Sequence, residues 1–491
     1  LEETIDYVQN RNQFGNLASK QLIQSKLADM FTKYNSSLSL CYQVANCLDN
    51  DDYIPEMISM AKRNSCENAL EAVRMCRDML PQDVFDYEPK KLWDHYYKDG
   101  IYFIDHHQSH AAYAFLNSGY EKSDILAIDG IGSKYRCVFF DKDENLIDLS
   151  DKLPIGWLWN HMSNLTGFGT LGASKLMGKV GYGKYSEYYY NIFETILNGP
   201  ITEKKQKHFQ HIKLNNIDDL AHTLQKFTID KIKEFVYPLK SCDNLCIAGG
   251  VAYNGYMNEE FTKHYENVFV PPAVGDEGQA VGTYMHADCV INNNIHKSET
   301  FAGIEYDTLE DEWPYRYEKA DYKKIAQAIA DGKIVGWFQG KSESGNRALG
   351  NRSILADPRN PNIKDIINHT IKMREDFRPF APVVLEDRYK EYFDTNSPSP
   401  YMSRICKVKS DKIPGVTHVD NTARIQTVNK EQNNKLYELV REFDVITGIP
   451  MLLNTSFNRH EPIVETPEHA LRTFKRTALD ILVINDWIIR K

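Results

Sequence analysis

Two histidines one helical turn apart open the chemistry of this sequence. The run His106-His107-Gln108-Ser109-His110 follows a short apolar stretch, Ile101 to Ile104. If a helix starts there, His106 and His110 share one face and both imidazoles can reach a single ion. His107 points off that face and reads as a hydrogen-bonding neighbour. Two carboxylates stand at strand ends, where ligands collect in α/β sheets. Asp129 follows the apolar run Ile125 to Ile128 and precedes Gly130, and Asp276 sits in Pro271-Pro272-Ala273-Val274-Gly275-Asp276-Glu277-Gly278. Imidazole with carboxylate suits iron, zinc or manganese. The plainer reading of an isolated H-x-x-x-H pair is a capped or decorated helix.

A second concentration of chemistry lies downstream. Residues 341–380 hold eight Lys/Arg and five Asp/Glu, a local balance of +3 in a chain of net charge −10. Arg347 and Arg352 sit in Gly345-Asn346-Arg347-Ala348-Leu349-Gly350-Asn351-Arg352-Ser353, Lys372 precedes Arg374, and Arg378 lies in Phe377-Arg378-Pro379-Phe380. Arginines among glycine, proline and aromatic residues suit bidentate binding of phosphate or carboxylate. Arg424 in Thr422-Ala423-Arg424-Ile425-Gln426 and Asn458 in Asn454-Thr455-Ser456-Phe457-Asn458 add donors. The competing reading is a set of ion pairs of small energetic value. Two glycine-punctuated segments complete the inventory. In Ala248-Gly249-Gly250-Val251-Ala252-Tyr253-Asn254 the paired glycines allow close backbone approach to a ligand, or simply a tight strand–helix turn. Lys175 opens Lys175-Leu176-Met177-Gly178, ahead of Gly181-Tyr182-Gly183, and reads as a phosphate contact or a surface lysine. None of these segments has Walker A spacing.

The elements that must position these residues differ along the chain. Residues 1–80 read as helical, with Leu17, Leu22, Ile23, Leu27, Met30 and Phe31 at helical spacing, a polar break at Asn50-Asp51-Asp52, and a second helix from Pro55 to Pro81. Residues 81–100 read as a linker. From 101 onwards short apolar runs fit buried strands: Ile101 to Ile104, Ile125 to Ile128, Cys137 to Phe140, Leu245 to Ala248 and Val268 to Val270. A second α/β block begins near 318, with strands expected at Ile334 to Phe338, Met451 to Leu453 and Ile481 to Ile484. The polar, aperiodic stretch 292–317 separates the blocks.

Composition narrows the classes. At 491 residues, with 42 % hydrophobic and 26 % charged residues, the chain is an ordinary globular protein long enough for several domains. Its net charge of −10 argues against a general binder of nucleic acid or anionic membranes. No apolar run approaches the roughly 18 residues of a membrane helix. The nine cysteines are scattered without a C-x-x-C pair, which fits reduced thiols and a cytoplasmic setting.

Taken together, HHQSHAA, ILAIDG, KLMG with GYG, LCIAGGVAYN, VPPAVGDEGQA, ESGNRALGNRSILADPR, IKMREDFRPFAP, DNTARIQTV and LLNTSFN resemble, in order, the O-carbamoyltransferases that decorate antibiotics, nodulation factors and related metabolites. The resemblance runs from about 97 to 491. It implies a sugar-kinase/Hsp70-like (ASKHA) carbamoyl-transfer domain over 101–315, then a YrdC-like α/β domain over 318–491 that forms carbamoyl-adenylate from carbamoyl phosphate and ATP. It further implies transfer to a hydroxyl of a small-molecule acceptor at an Fe(II) site, with Mn or Zn as alternatives. His106, His110, Asp129 and Asp276 match the metal ligands. Lys175, Gly249, Gly250 and Asn254 match nucleotide-contacting segments. Arg347, Lys372, Arg378, Arg424 and Asn458 match the carbamoyl phosphate and nucleotide pocket.

Two departures stand against the family pattern. A glycine-rich opening strand with a His-Asp motif is expected 90–100 residues before the double histidine, and no such segment is found, so the first domain reads as incomplete. Residues 1–80 instead resemble a fragment of the all-α C-terminal bundle of a glutaryl-CoA-type acyl-CoA dehydrogenase, through NRNQFGNLASKQLIQSKLADM and PEMISMAKRNSCENALEAVRMCRDML. No FAD is expected, because the rest of a flavin site is missing. The loop Asn458-Arg459-His460-Glu461-Pro462 is also shorter than the family's and lacks its glycine. Two other functions stay open: a non-catalytic docking protein, dimeric or partnered through residues 1–80, and a transfer-RNA threonylcarbamoyl enzyme, disfavoured by the acidic charge.

Overall fold

The computed structural model describes residues 21–49, 68, 87–98, 101–130, 132, 134–169, 172–197, 212–306 and 317–491. The chain divides into two compact units, Leu1–Glu88 and Pro89–Lys491. In the first, helix α1 covers Gln21–Asp49. Met30 is buried, but Phe31, assigned by spacing to the same apolar face, is 60 % exposed. The polar break at 50–52 and most of the helix expected from Pro55 lie outside the described residues.

Among its described residues the second unit contains a two-stranded hairpin sheet, a five-stranded sheet and a ten-stranded sheet. A hairpin of β1 (Tyr96–Lys98) and β2 (Ile101–Phe103) leads into α2 (His106–Ser118). The short connection 119–123 then turns the chain back into β3 (Asp124–Ile128). This reversal lays the first turn of α2 beside the carboxyl end of β3. The sheet continues with β4 (Cys137–Phe140), β5 (Leu146–Asp148), β6 (Asn244–Ala248) and β7 (Asn267–Phe269), in the order β5-β4-β3-β6-β7. β3, β6 and β7 run parallel, so their carboxyl ends lie along one edge. Helices cover both faces, which explains the unbroken apolar runs. Ile125, Ala127, Cys246 and Ala248 pack against Ala111 and Ala114 of α2. Leu126, Ile128, Leu245 and Ile247 pack towards α3 (Ile155–Leu165) and α4 (Ile217–Phe235), which contribute Leu158, Met162, Leu224 and Phe227. After β6 comes α5 (Gly255–Phe261), and after β7 comes α6 (Gln279–Asn292).

The larger sheet has ten strands: β8 (Tyr317–Lys319), β9 (Val335–Phe338), β10 (Arg352–Ala356), β11 (Ala381–Leu385), β12 (Phe393–Asp394), β13 (Arg404–Val408), β14 (Thr422–Val428), β15 (Met451–Ser456), β16 (Ile481–Ile484) and β17 (Trp487–Arg490). Their order is β12-β13-β14-β11-β15-β10-β9-β16-β17-β8. β11 with β14 and β9 with β16 are parallel, and the remaining pairings are antiparallel. Helices α7 (Tyr322–Ala330), α8 (Asn434–Thr447) and α9 (Pro467–Arg476) supply Ile325, Ile329, Leu439, Phe443 and Phe474 to its core. No helix among the described residues is long and apolar enough to cross a membrane.

The metal-site candidates depend on how closely α2 meets α6. Ser109 Oγ donates to the Gln279 carbonyl at 2.8 Å and lies 3.0 Å from Thr283 Oγ1. At Gly282 an added Cβ would collide with the Ser109 carbonyl. Gly282→Ala is therefore expected to push the helices apart, destabilise the fold by about 1–3 kcal/mol and lower the denaturation midpoint. A midpoint equal to the parent's would show that the two helices do not need this approach.

Candidate metal centre and arginine cavity

Helix α2 begins where its histidines require. Asp105 is the N-cap, accepting from His107 N at 2.8 Å, while Gln108 Oε1 accepts from Asp105 N at 3.0 Å, a reciprocal capping box. Gln108 Nε2 also donates to the carbonyls of Lys91, Leu92 and Asp94. With the first turn so fixed, His106 and His110 face the strand ends together. His106 Nε2 lies 3.3 Å from Asp129 Oδ2 and 3.6 Å from Asp276 Oδ1, and His110 Nε2 lies 3.1 and 3.5 Å from the same two oxygens. The four donor atoms are all within 4.8 Å of one another. This set of two imidazole nitrogens and two carboxylate oxygens fits a divalent cation of the Fe, Zn or Mn kind. Gly130 N orients Asp129 by donating to its Oδ1 at 2.6 Å. His107 is fully buried beside Tyr135 and outside the cluster.

Charge in the cluster follows from its packing. Burial alone would raise the Asp129 pKa, but His106 and His110 outweigh it and hold the carboxyl well below the usual range. Burial opposes protonation of His110, yet Asp129 and Asp276 outweigh it and raise its pKa. Burial lowers His107 to about 4, so that ring is neutral near neutral pH.

The Gly249 segment is built for close approach, chiefly within the protein. Gly249 has φ +89°, a Cβ there would strike the Ile128 carbonyl, and its N–H donates to Val274 O at 2.8 Å. Gly250 faces outward into a cavity of about 480 Å³ that also includes Asp129, Asp276, Asn160 and Trp159. Asn254 borders this cavity too, but its amide accepts from Met257 N and donates to Gln225 Oε1 at 2.9 Å. Lys175 Nζ pairs with Glu375 at 2.9 Å, joining the short helix Ala173–Met177 to the region of the larger sheet.

A second cavity, of about 260 Å³, is cationic. Among the described residues, Arg347, Arg374, Arg378 and Arg424 line it and no carboxylate does. Carbonyls, an amide and rings hold three of the guanidiniums in place, and Glu375 lies 3.7 Å from the fourth, Arg378. Arg424 donates to Met402 O at 2.9 Å and Tyr253 O at 3.3 Å. Arg374 donates to Asn368 Oδ1 at 2.8 Å and lies over the Phe380 ring. Arg347 lies over Tyr253. Burial, then a neighbouring arginine, pushes Arg374 and Arg424 down to about 9, so both remain charged near neutral pH. Lys372 and Asn458 stand just behind this wall. Lys372 Nζ donates to the Ser456 carbonyl, to Ser456 Oγ at 3.0 Å and to Asn458 Oδ1 at 2.7 Å. Burial, with Arg374 next, lowers its pKa well below the ordinary lysine range. Ser174, Met177, Asn346 and Arg347 border both cavities.

A model of the carbamoyltransferase N-terminus matches residues 20–285, and one of the carbamoyltransferase C-terminus matches residues 326–491. The chain belongs to the carbamoyltransferase family. Among its relatives, an uncharacterized Synechocystis protein is 32 % identical over 469 residues, spanning 80 % of this chain and 76 % of its own length. The nodulation protein NolNO of Sinorhizobium fredii is 34 % identical over 440 residues, 80 % of this chain and 64 % of that protein. Nodulation protein NolO of Bradyrhizobium diazoefficiens is 31 % identical over 433 residues, 79 % of each. The N-terminal model takes in most of the segment likened by sequence to an acyl-CoA dehydrogenase.

Within this carbamoyltransferase, sequence reasoning missed Arg374, Phe377, His418 and Asn454 in the arginine cavity. Arg374 carried a signal, since it stands between Lys372 and Arg378, whereas His418 carried none. For the metal centre, imidazoles must shed protons to bind an ion, and Asp129 and Asp276 raise the pKa of His110. Metal retained after dialysis is therefore expected to fall as the pH drops through the raised His110 pKa, starting above the ordinary histidine range. Loss of a supporting partner costs metal affinity about 10–100-fold, so Asp129→Asn or His110→Ala is expected to cost at least that, while His107→Ala retains the ion. Equal metal content in all four proteins would dismiss the site.

Proposed function

We propose that the chain is an ATP-dependent O-carbamoyltransferase working through carbamoyl-adenylate. The observation that carries the reading is the wall common to the two cavities: Ser174, Met177, Asn346 and Arg347 border both the arginine cavity and the metal-site cavity. Four guanidiniums with no carboxylate among the described lining residues suit a polyanion. There carbamoyl phosphate and water yield carbamate and phosphate. A carbamate oxygen then attacks the α-phosphorus of ATP, pyrophosphate leaves, and carbamoyl-adenylate remains. Arg347, Arg378 and Arg424 hold the phosphoryl oxygens as charge moves from the attacking to the leaving oxygen. Lys372 and Asn458 position Ser456 at the cavity wall.

Across the wall, the acceptor hydroxyl adds to the carbamoyl carbon, the bond to AMP breaks, and the hydroxyl proton is released. His106, His110, Asp129 and Asp276 would hold a divalent ion, Fe(II) in this reading, which supplies Lewis-acid polarisation of the carbamoyl carbonyl. Asp129 and the Gly250 backbone shape that side of the cavity, and Trp159 and Asn160 offer a flat ring and an amide to the acceptor. In domain terms, the smaller sheet corresponds to the ASKHA-like transfer part and the larger sheet to the YrdC-like adenylating part.

One observation favours an added docking role for residues 1–80. Phe31, Tyr34, Leu38 and Tyr42 of α1 are exposed at spacings of a single helical stripe. Self-association of the full chain that Phe31→Ser with Tyr42→Ser abolishes would support a homodimer. A transfer-RNA substrate is less favoured, because the arginines that stand out line a cavity of nucleotide scale.

Adenylation is tested by exchange of labelled pyrophosphate into ATP without any acceptor. Exchange is expected only with carbamoyl phosphate present, to fall by about 100-fold or more in Arg378→Ala, and to persist in Asp276→Ala. Exchange without carbamoyl phosphate, stimulation by threonine with bicarbonate instead, or equal loss in both variants would refute the assignment.

A further inference from the structure

Four side chains of the described residues border both cavities, and two of them are neutral polar groups that the chemistry above does not use. Arg347 is assigned to phosphoryl oxygens, and Met177 Sδ accepts from Arg424 Nη2 at 3.6 Å. The other two are Ser174 and Asn346. Both are exposed to the cavities they line, and neither side chain hydrogen-bonds another described residue. Thr455 and Asn160 are also without side-chain partners among the described residues, but Thr455 faces only the arginine cavity and Asn160 only the metal-site cavity. The backbone beneath Ser174 and Asn346 is held in place. Ser174 lies in the short helix Ala173–Met177, whose Lys175 is tied to Glu375 at 2.9 Å. Asn346 follows Gly345, which passes against the Pro272 carbonyl with φ +84°. One group thus comes from the part of the chain that holds the smaller sheet, and the other from the part that holds the larger.

A carbamoyl group has nearly the shape of an acetyl group and differs from it in carrying an amino group where acetyl carries a methyl. That amino group donates two N–H bonds. Guanidiniums are donors only, so the arginines of the cavity cannot receive them. The other polar side chains of that cavity are largely engaged: Tyr256 Oη donates to Asp420 at 2.8 Å, Thr422 Oγ1 to the same carboxylate at 2.6 Å, and Ser456 Oγ to Asn458 Oδ1 at 2.8 Å. Ser174 Oγ and Asn346 Oδ1 are free acceptors, and Asn346 stands next to Arg347 in the chain. Two acceptors match two N–H bonds. A site that meets a ligand's donor in this way rejects the analogue that lacks it, because its own polar groups are then left unpaired.

We propose that Ser174 Oγ and Asn346 Oδ1 accept the two N–H bonds of the carbamoyl group while it stands on its adenylate at the common wall, and so restrict the activated acyl group to one with a free amino group. Both are specificity-determining residues, and bond making and breaking stay with the groups named above. The proposal rests on the adenylate reading of the arginine cavity.

The test is calorimetric titration of the full chain with the stable sulfamoyl analogues of carbamoyl-adenylate and acetyl-adenylate, which differ only in an amino or a methyl group. The parent is expected to bind the carbamoyl analogue at least about tenfold more tightly than the acetyl one. Ser174→Ala combined with Asn346→Leu is expected to weaken the carbamoyl analogue by about tenfold and to leave the acetyl analogue unchanged, which also reports an intact cavity. Ser174→Thr keeps the hydroxyl and is expected to keep the preference. If the parent binds both analogues equally, if the double variant keeps the parent's preference, or if both analogues weaken together, these residues do not read the acyl group and the proposal falls alone. If the parent binds neither analogue, the proposal falls together with the adenylation reading.

Discussion

Crowding of like charge is the constraint around which this molecule is arranged. Four guanidiniums border one small cavity without a carboxylate among its lining residues, and two carboxylates meet at the turn of α2. Neither arrangement is favourable by itself in partly buried surroundings. Each is offset in part by opposite charge, Glu375 lying 3.7 Å from Arg378 and the two histidines standing against Asp129 and Asp276, and in part by neutral groups that fix geometry. Arg424 rests on the carbonyls of Met402 and Tyr253, Arg374 on Asn368 and the Phe380 ring, and Asp129 on the Gly130 N–H. Such cavities are completed electrostatically by what they bind: anions in one, a cation in the other. The molecule spends fold stability on positioning and leaves the remaining neutralisation to ligands.

The two sheets divide this work by their topology. Parallel β3, β6 and β7 bring Asp129, the Gly249–Gly250 turn and the loop to Asp276 to a common edge, and the return from α2 into β3 adds the histidines. The mixed larger sheet presents Arg424 and Ser456 from β14 and β15, with Arg347 entering on the loop before β10. Contacts between the two keep the cavities in register: Arg404 donates to Val268 O at 2.8 Å, Asn258 to Ser403 O at 2.7 Å, and Lys175 pairs with Glu375. The loop at Gly345, with φ +84°, runs so close to Pro272 that a side chain there would clash. Asn346 and Arg347 follow it directly and reach both cavities.

Much of this was legible in the residues. Strands such as Cys137–Phe140 and Ile481–Ile484 stand out because both faces are covered, so the apolar run is unbroken. The four metal-site candidates were legible because helix spacing and strand ends are local features, and the structure brings them together. Strands β10 and β14 were hidden by their cargo. Arg352 opens β10 fully buried, donating to Gln339 O at 2.7 Å with its guanidinium over the Phe338 ring, an environment no local pattern announces. β14 alternates Ala423 and Ile425, which face the core, with Arg424 and Gln426, so its polar half read as a ligand loop. β11 was masked by Pro382. His418 and the common wall were out of reach, since they depend on contacts between segments far apart in sequence, such as Tyr182 with His418 and Ser174 with Asn346.

The central claim is that a carbamoyl group activated among the arginines reaches the centre formed by His106, His110, Asp129 and Asp276. The direct measurement is ¹³C relaxation of labelled carbamoyl phosphate with the chain loaded with paramagnetic Mn(II), compared with diamagnetic Zn(II). Strong Mn(II)-dependent enhancement at the carbamoyl carbon is predicted once ATP is added, and its disappearance in His110→Ala. A carbamoyl carbon that relaxes identically with Mn(II) and Zn(II), while pyrophosphate is being released, would contradict the account.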